Sequence, residues 1–170
     1  MSRPSSLLFS LARDESGAAA AEMAIVSPLL LILMFGSMEL GKFFLDQHVL
    51  VKAVRDGARY AARQSFLDYS GCGVSGGVAT NTYNLTRTGQ IASGGDARLA
   101  YWPDDSGTVT VTVSCDTSGT YEGIYRGSAD GAPVVTVAAS VPYTPLLGSI
   151  GFSTVGLTLN ARSQAAVAGV

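Results

Sequence analysis

Seven residues of the 170-residue chain, GCGVSGG at 71–77, carry two patterns that do chemistry in other proteins. Gly71, Gly73 and Gly76 fit G-x-G-x-x-G, which lets a backbone approach a dinucleotide pyrophosphate. Gly73, Ser75 and Gly77 fit G-x-S-x-G, which lifts a serine nucleophile onto a sharp turn. Both patterns need a strand before them and a helix after them. The surrounding sequence predicts the reverse, a helix before and a strand-rich region after. A serine nucleophile also needs a base, and the single histidine, His48, sits in another segment with no sign of a partner nucleophile or a metal cluster. We therefore expect no enzyme activity, no catalytic residue, no metal and no cofactor, and read these glycines as a turning loop.

Three other features offer chemistry of a different kind. Glu22 stands in GAAAAEMAIVSP at 17–28, at the entrance of an apolar run that continues to Met38. A carboxylate at the centre of a spanning helix costs about 2.5–3.5 kcal/mol, and less near an end, where it can snorkel to the interface. Cys72 and Cys115 are the only cysteines. Two states are open to them, a disulfide or a pair of buried free thiols. An oxidising compartment favours the disulfide, which closes a loop worth about 4 kcal/mol in the chain-entropy model. Asn84, Leu85 and Thr86 form a glycosylation sequon, a triplet common by chance.

The elements that must hold these residues follow from composition. The chain is 47% hydrophobic and 14% charged, more apolar than a soluble domain of this size requires, and the excess lies in residues 18–38. Eleven Lys and Arg against 13 Asp and Glu leave a net charge of −2, which gives no electrostatic reason for a nucleic-acid partner. As a helix, Ala18–Met38 covers about 31 Å, the thickness of a bilayer hydrocarbon core. The run is long for a signal peptide, and no small-x-small cleavage site follows it. Arg3 and Arg13 precede the span while Lys42, Lys52, Arg55, Arg59 and Arg63 follow it, so positive charges alone do not orient it. The Thr-, Ser- and Gly-rich second half with its two cysteines fits an exported domain.

The helical pattern outlasts the apolar run. Phe43, Leu50, Val54, Gly57 and Ala61 make one stripe, with Lys52, Asp56, Arg59 and Arg63 opposite, which predicts one continuous helix to about Gln64 that turns amphipathic after the span. Pro28 removes a backbone donor inside it, so a kink or local melting is expected there. LDYSGCGVSGGVATNTYN then breaks the helix. TVTVTVS at 108–114 alternates strictly, with Val109, Val111 and Val113 on one face. PVVTVAASVPY at 133–143 and STVGLTLNAR at 153–162 are the other strands, the last placing Val155, Leu157, Leu159 and Ala161 together. The expected fold is α+β: a long N-terminal transmembrane-to-amphipathic helix packed against a small C-terminal antiparallel sheet, one face covered and one wet.

RDESGAAAAEMAIVSPLLLILMFGSMELGKFF with AVRDGARYAA resembles the N-terminal signature of TadE-like pseudopilins of tight-adherence pilus systems, relatives of type IV pilins. VVTVAASVPYTPLLGSIGFSTVGLTLNARSQAAV resembles the C-terminal part of the same family. The middle, about 69–132, resembles nothing identified. The resemblance implies a prepilin leader at 1–17, a transmembrane helix at 18–38, an amphipathic extension at 39–68 and an exported β-rich domain at 69–170. It further implies that a membrane-embedded aspartyl peptidase cuts between Gly17 and Ala18, which makes Glu22 the fifth residue of the mature chain. In the family, Phe or Tyr usually follows that glutamate; here it is Met23.

On this resemblance Glu22 and Met23 are read as the assembly and recognition residues. Glu22 would give the new Ala18 amine a counter-charge and set register between helices. Glu39, 17 residues on, is read as an interfacial anchor. The implied role is a minor pilin of a type IV-like pilus that acts in assembly and surface adhesion. Its implied partners are the prepilin peptidase, the major and other minor pilins, the inner-membrane assembly platform and the lipid bilayer. The implied location is the bacterial inner membrane with the C-terminal domain periplasmic, and then the pilus or cell surface. The rival role is an uncleaved, single-pass periplasmic binding or scaffold domain.

Overall fold

The computed structural model describes residues 15–105, 108–117, 123–126, 128, 130–150 and 156–169. The first fourteen residues of the expected leader lie outside them. The chain divides between Gly41 and Lys42 into two compact units.

One α-helix, α1, runs Glu15–Ala62. Before the division its side chains are almost all exposed, including Met23, Ile25, Leu29 to Met34 and Met38. It is long and apolar enough to cross a membrane. The helix runs on through Pro28 without a break, so the expected local melting is absent. Pro28 has no N–H to give, which deprives the Ala24 carbonyl of its usual i+4 donor. The helix ends at Ala62, close to the expected Gln64.

The unit Lys42–Val170 is α+β. After α1 comes a 3₁₀ segment, Phe66–Cys72, then a second helix, α2, Gly76–Thr88. Three antiparallel strands follow in spatial order β1-β2-β3: β1 Val109–Asp116, β2 Ala132–Pro142 and β3 Thr158–Ala166. Val111 pairs with Val137, and Val137 with Ser163. The expected sheet is therefore present.

The alternation in β1 reads as expected. Val109 is buried, Val111 and Val113 are half-buried, and Thr110, Thr112 and Ser114 are exposed. Across the whole sheet the odd-numbered residues face inward and most even-numbered ones face water, the pleat's period of two. Leu50, Ala53, Val54 and Ala58 of α1 pack with Val109, Val137, Ala139, Val141, Leu159, Leu99 and Trp102 in one core cluster. Ala61, Ala62, Tyr69, Val78, Val135 and Val167 make a second. All five residues of the expected apolar stripe lie on this inner side, from half-buried Phe43 to fully buried Ala61.

Two further expectations need correction. The third strand begins at Thr158, later than 153, and extends to Ala166. Of the four residues expected to share its face, Val155 lies outside the described residues. Leu157 is 41% exposed beside the turn at Gly156, whose φ is +82°, and only Leu159 and Ala161 point inward within the strand. The second correction is α2. The stretch read as a turning loop before strands instead opens a helix, capped by Ser75, whose hydroxyl accepts from Val78 N, and ended by Gly89 at φ +85°. Val78, Thr82 and Thr86 are its buried stripe. That spacing and the two caps are the signals that mark it, against the low helix propensity of its Gly, Thr and Asn residues.

Candidate processing and assembly site

Gly17 lies in the first turn of α1, and a Cβ added there meets nothing within 4 Å. Glycine weakens a helix by about 1 kcal/mol relative to alanine, and the first four N–H groups of a helix have no partner within it. The Gly17–Ala18 bond thus lies in the first turn of α1, where the helix is held by few of its own hydrogen bonds. Glu22 follows Ala18 by four residues, so both lie on one face, and helix geometry tilts the Glu22 side chain back toward the N-terminus. A free amine at Ala18 would have this carboxylate one turn away. Ala18, Glu22 and Met23 are exposed, Met23 by 68%. Glu39 is half-buried on the same helix.

The first residue after the division is the hub of a cluster that sequence reasoning did not assemble. Lys42 Nζ donates to Asp46 Oδ2 at 2.6 Å and to the Thr144 carbonyl at 2.9 Å. It also lies 4.9 Å from the ring centre of Tyr101 and 4.6 Å from that of Tyr143, within cation–π range. The Tyr101 hydroxyl donates to Asp46 at 2.7 Å, and Tyr143 stacks edge-on against Phe43. Burial, and then the bond to Asp46, push the Tyr101 hydroxyl well above the usual tyrosine range. The i,i+4 spacing of Lys42 and Asp46 is legible in the sequence. Nothing there points to Tyr101, Tyr143 or Thr144, which arrive from distant loops.

Cys72 and Cys115 form a disulfide with Cα atoms 5.9 Å apart. It joins the end of the 3₁₀ segment to β1 and holds Cys72 in a left-handed conformation, φ +55°, uncommon outside glycine. Ser75 is occupied as a helix cap: its hydroxyl accepts from Val78 N and donates to Asp68 Oδ1 at 2.8 Å. His48 lies on the outward side of α1 beside Lys52, Arg55 and Arg59. In the sequon, Thr86 is fully buried and bonds the Thr82 carbonyl, and the Asn84 amide donates to the Ile91 carbonyl.

Residues 17–59 match the family model described as TadE-like protein. The match opens on Gly17, covers the apolar helix and closes at Arg59, within its amphipathic extension. It leaves the sheet and its connections outside. No curated protein and no solved structure matches the chain.

Proposed function

We propose that this chain, TadE-like over residues 17–59, is a minor pilin or pseudopilin of a tight-adherence, type IV-like pilus. A prepilin peptidase cuts it after Gly17, and the mature subunit waits in the inner membrane, its Lys42–Val170 unit in the periplasm, until it takes part in pilus assembly and surface adhesion. Its role is structural: the major and other minor pilins and the assembly platform are its partners, not a substrate. One observation carries this reading. The family match begins at Gly17, and the helix it opens presents an unburied apolar surface with a carboxylate four residues beyond Ala18. Unburied apolar helix needs lipid or other helices. The Lys42–Asp46 cluster, the disulfide and the two closed core clusters give the exported unit the rigidity a pilus subunit needs.

The test is the N-terminus of the native protein, by sequencing or intact mass, with and without the peptidase. Ala18 as first residue, dependent on the peptidase, supports the pilin route. A Met1 or Ser2 start in both strains supports the uncleaved tether and overturns the proposal. Glu22→Ala should then still insert and be cut, yet enter the pilus poorly.

A further inference from the structure

Four large apolar side chains gather where α1 enters the Lys42–Val170 unit, and the fold leaves each of them 41–68% exposed. Phe44 and Leu45 follow Lys42 on the helix, between half-buried Phe43 and Asp46. Leu146 and Leu157 come from the connection between β2 and β3. Three contacts hold that connection beside the helix. Lys42 Nζ donates to the Thr144 carbonyl, the Tyr143 N–H donates to the Leu157 carbonyl at 2.9 Å, and the Tyr143 ring packs edge-on against Phe43 with centres 5.3 Å apart.

A cluster of exposed apolar groups needs an apolar cover. Position says which. Phe44 and Leu45 stand six and seven residues past Met38, where the uncharged run ends, which is about 9–10 Å further along the helix axis. The headgroup layer adds about 5–8 Å to each side of a bilayer core, and helical side chains lean back toward the N-terminus, here the side of the apolar run. Both side chains therefore reach the headgroups. Charge agrees with position. No charged residue occurs between Asp130 and Arg162, so the connection that carries Leu146 and Leu157 takes no charge into lipid, where one would be costly. Lys42, the cation beside them, is already paired with Asp46. A second group of exposed apolar residues, Phe66, Leu67 and Ile124, lies past the far end of α1, where Phe66 stacks on Tyr125. Lys42 and Ala62 are about 30 Å apart along the helix, so that group is out of reach of the same surface.

We propose that Phe44, Leu45, Leu146 and Leu157 form a rim that dips into the headgroup layer and seats the Lys42–Val170 unit on the bilayer surface. The inference rests on the membrane location proposed above and names the surface by which the folded unit meets lipid. The subunit is then held by two contacts, the spanning helix and this rim. Leaving the membrane for a pilus must release both.

The test uses the full chain in phosphatidylcholine–phosphatidylglycerol vesicles, with the protein highly diluted in lipid. Nitroxide labels are attached one at a time through Ile32→Cys, Leu146→Cys, Leu157→Cys and Ile124→Cys, with the Cys72–Cys115 disulfide intact. All four positions are exposed, so a label leaves the core untouched. Each label's collision rates with lipid-soluble oxygen and with a water-soluble nickel chelate are then compared. The oxygen-to-nickel ratio at 146 and 157 should exceed that at 124 several-fold. A ratio equal to that at 124 puts the rim in water and overturns the proposal. So does exclusion of both reagents, which marks a protein cover. The unaltered chain gives an independent reading, because a phosphatidylcholine with a diazirine near its headgroup should cross-link peptides that contain Leu146 and Leu157 and spare the one that contains Ile124. Adducts confined to the apolar helix overturn the proposal. Ile32 separates this inference from the one it rests on. Its label in lipid with the rim in water leaves the span standing, whereas its label in water overturns span and rim together.

Discussion

Tyr69 is a polar group on a buried ring, and the fold gives its hydroxyl one definite partner. The residue is 2% exposed, and its hydroxyl donates to the Ala61 carbonyl at 2.5 Å, satisfying a group that the end of α1 leaves open. Burial first, then the nearby Asp68 and Tyr60, push its pKa up to about 12. An unfolded tyrosine loses its proton near pH 10. The folded chain therefore keeps a proton the unfolded chain has lost, and this contribution to stability is whole below about pH 10 and disappears as pH rises toward 12. Its size is on the order of 3 kcal/mol. Tyr69→Phe should be slightly less stable at pH 8, because the Ala61 carbonyl loses its donor, yet should fall less steeply between pH 10 and 12. Tyr83 and Tyr101, also raised by burial, keep some of the alkaline loss in the variant. Thermal melts at pH 8 and 11 check this, and equal alkaline slopes for the two proteins would refute it.

At the scale of elements, α1 and α2 approach each other closely at Gly57. A Cβ at Gly57 would collide with Thr86 Oγ1 and touch Thr82, and both threonines are fully buried. Gly57 therefore lets the two helices meet, a packing requirement and not a matter of backbone freedom. Gly57→Ala should destabilise the Lys42–Val170 unit by about 1–3 kcal/mol through overpacking. Thr86→Ala in the same chain should recover part of that loss, a coupling a double-mutant cycle measures. Thr82 Oγ1 has no hydrogen-bond partner among the described residues, so Thr82→Val should raise the melting temperature. The sequence placed Gly57 correctly in the apolar stripe of α1, because that stripe has a clean helical period. It hid α2, whose inner face is built of Val78 and two threonines and so lacks the hydrophobic contrast that periodicity needs. Local pattern also reveals β1, where Val and Thr alternate. The start of β3 is hidden because apolar residues continue past the strand's end, as Leu157 shows. The same limit applies to the sites: Gly17 and Glu22 form a local pattern that can be read directly, whereas the Lys42 cluster depends on loops brought together only by the fold.

At the scale of the whole molecule, the division between Gly41 and Lys42 separates two kinds of surface chemistry. From Gly17 to Gly41 the described side chains are mostly apolar and exposed; residues from Lys42 onward close two cores. Lys42 itself, with Asp46, Tyr101, Tyr143 and Thr144, seals the first turn of the second unit. Among the described residues, nothing in either core cluster comes from before Phe43. The disulfide too is internal to this unit, 43 residues apart in sequence, a loop whose closure is worth about 4 kcal/mol in the chain-entropy model. A fragment beginning at Lys42 should accordingly be soluble without detergent and melt in one cooperative step under oxidising conditions. Reduction should lower its melting point by roughly 10 °C, since about 1 kcal/mol shifts a domain of this size by a few degrees. Cys72→Ser with Cys115→Ser should melt where the reduced fragment melts and ignore the reductant. A fragment that is unfolded while oxidised would show that the Lys42–Val170 unit needs the apolar helix for its stability, and that the boundary at Lys42 is no folding boundary.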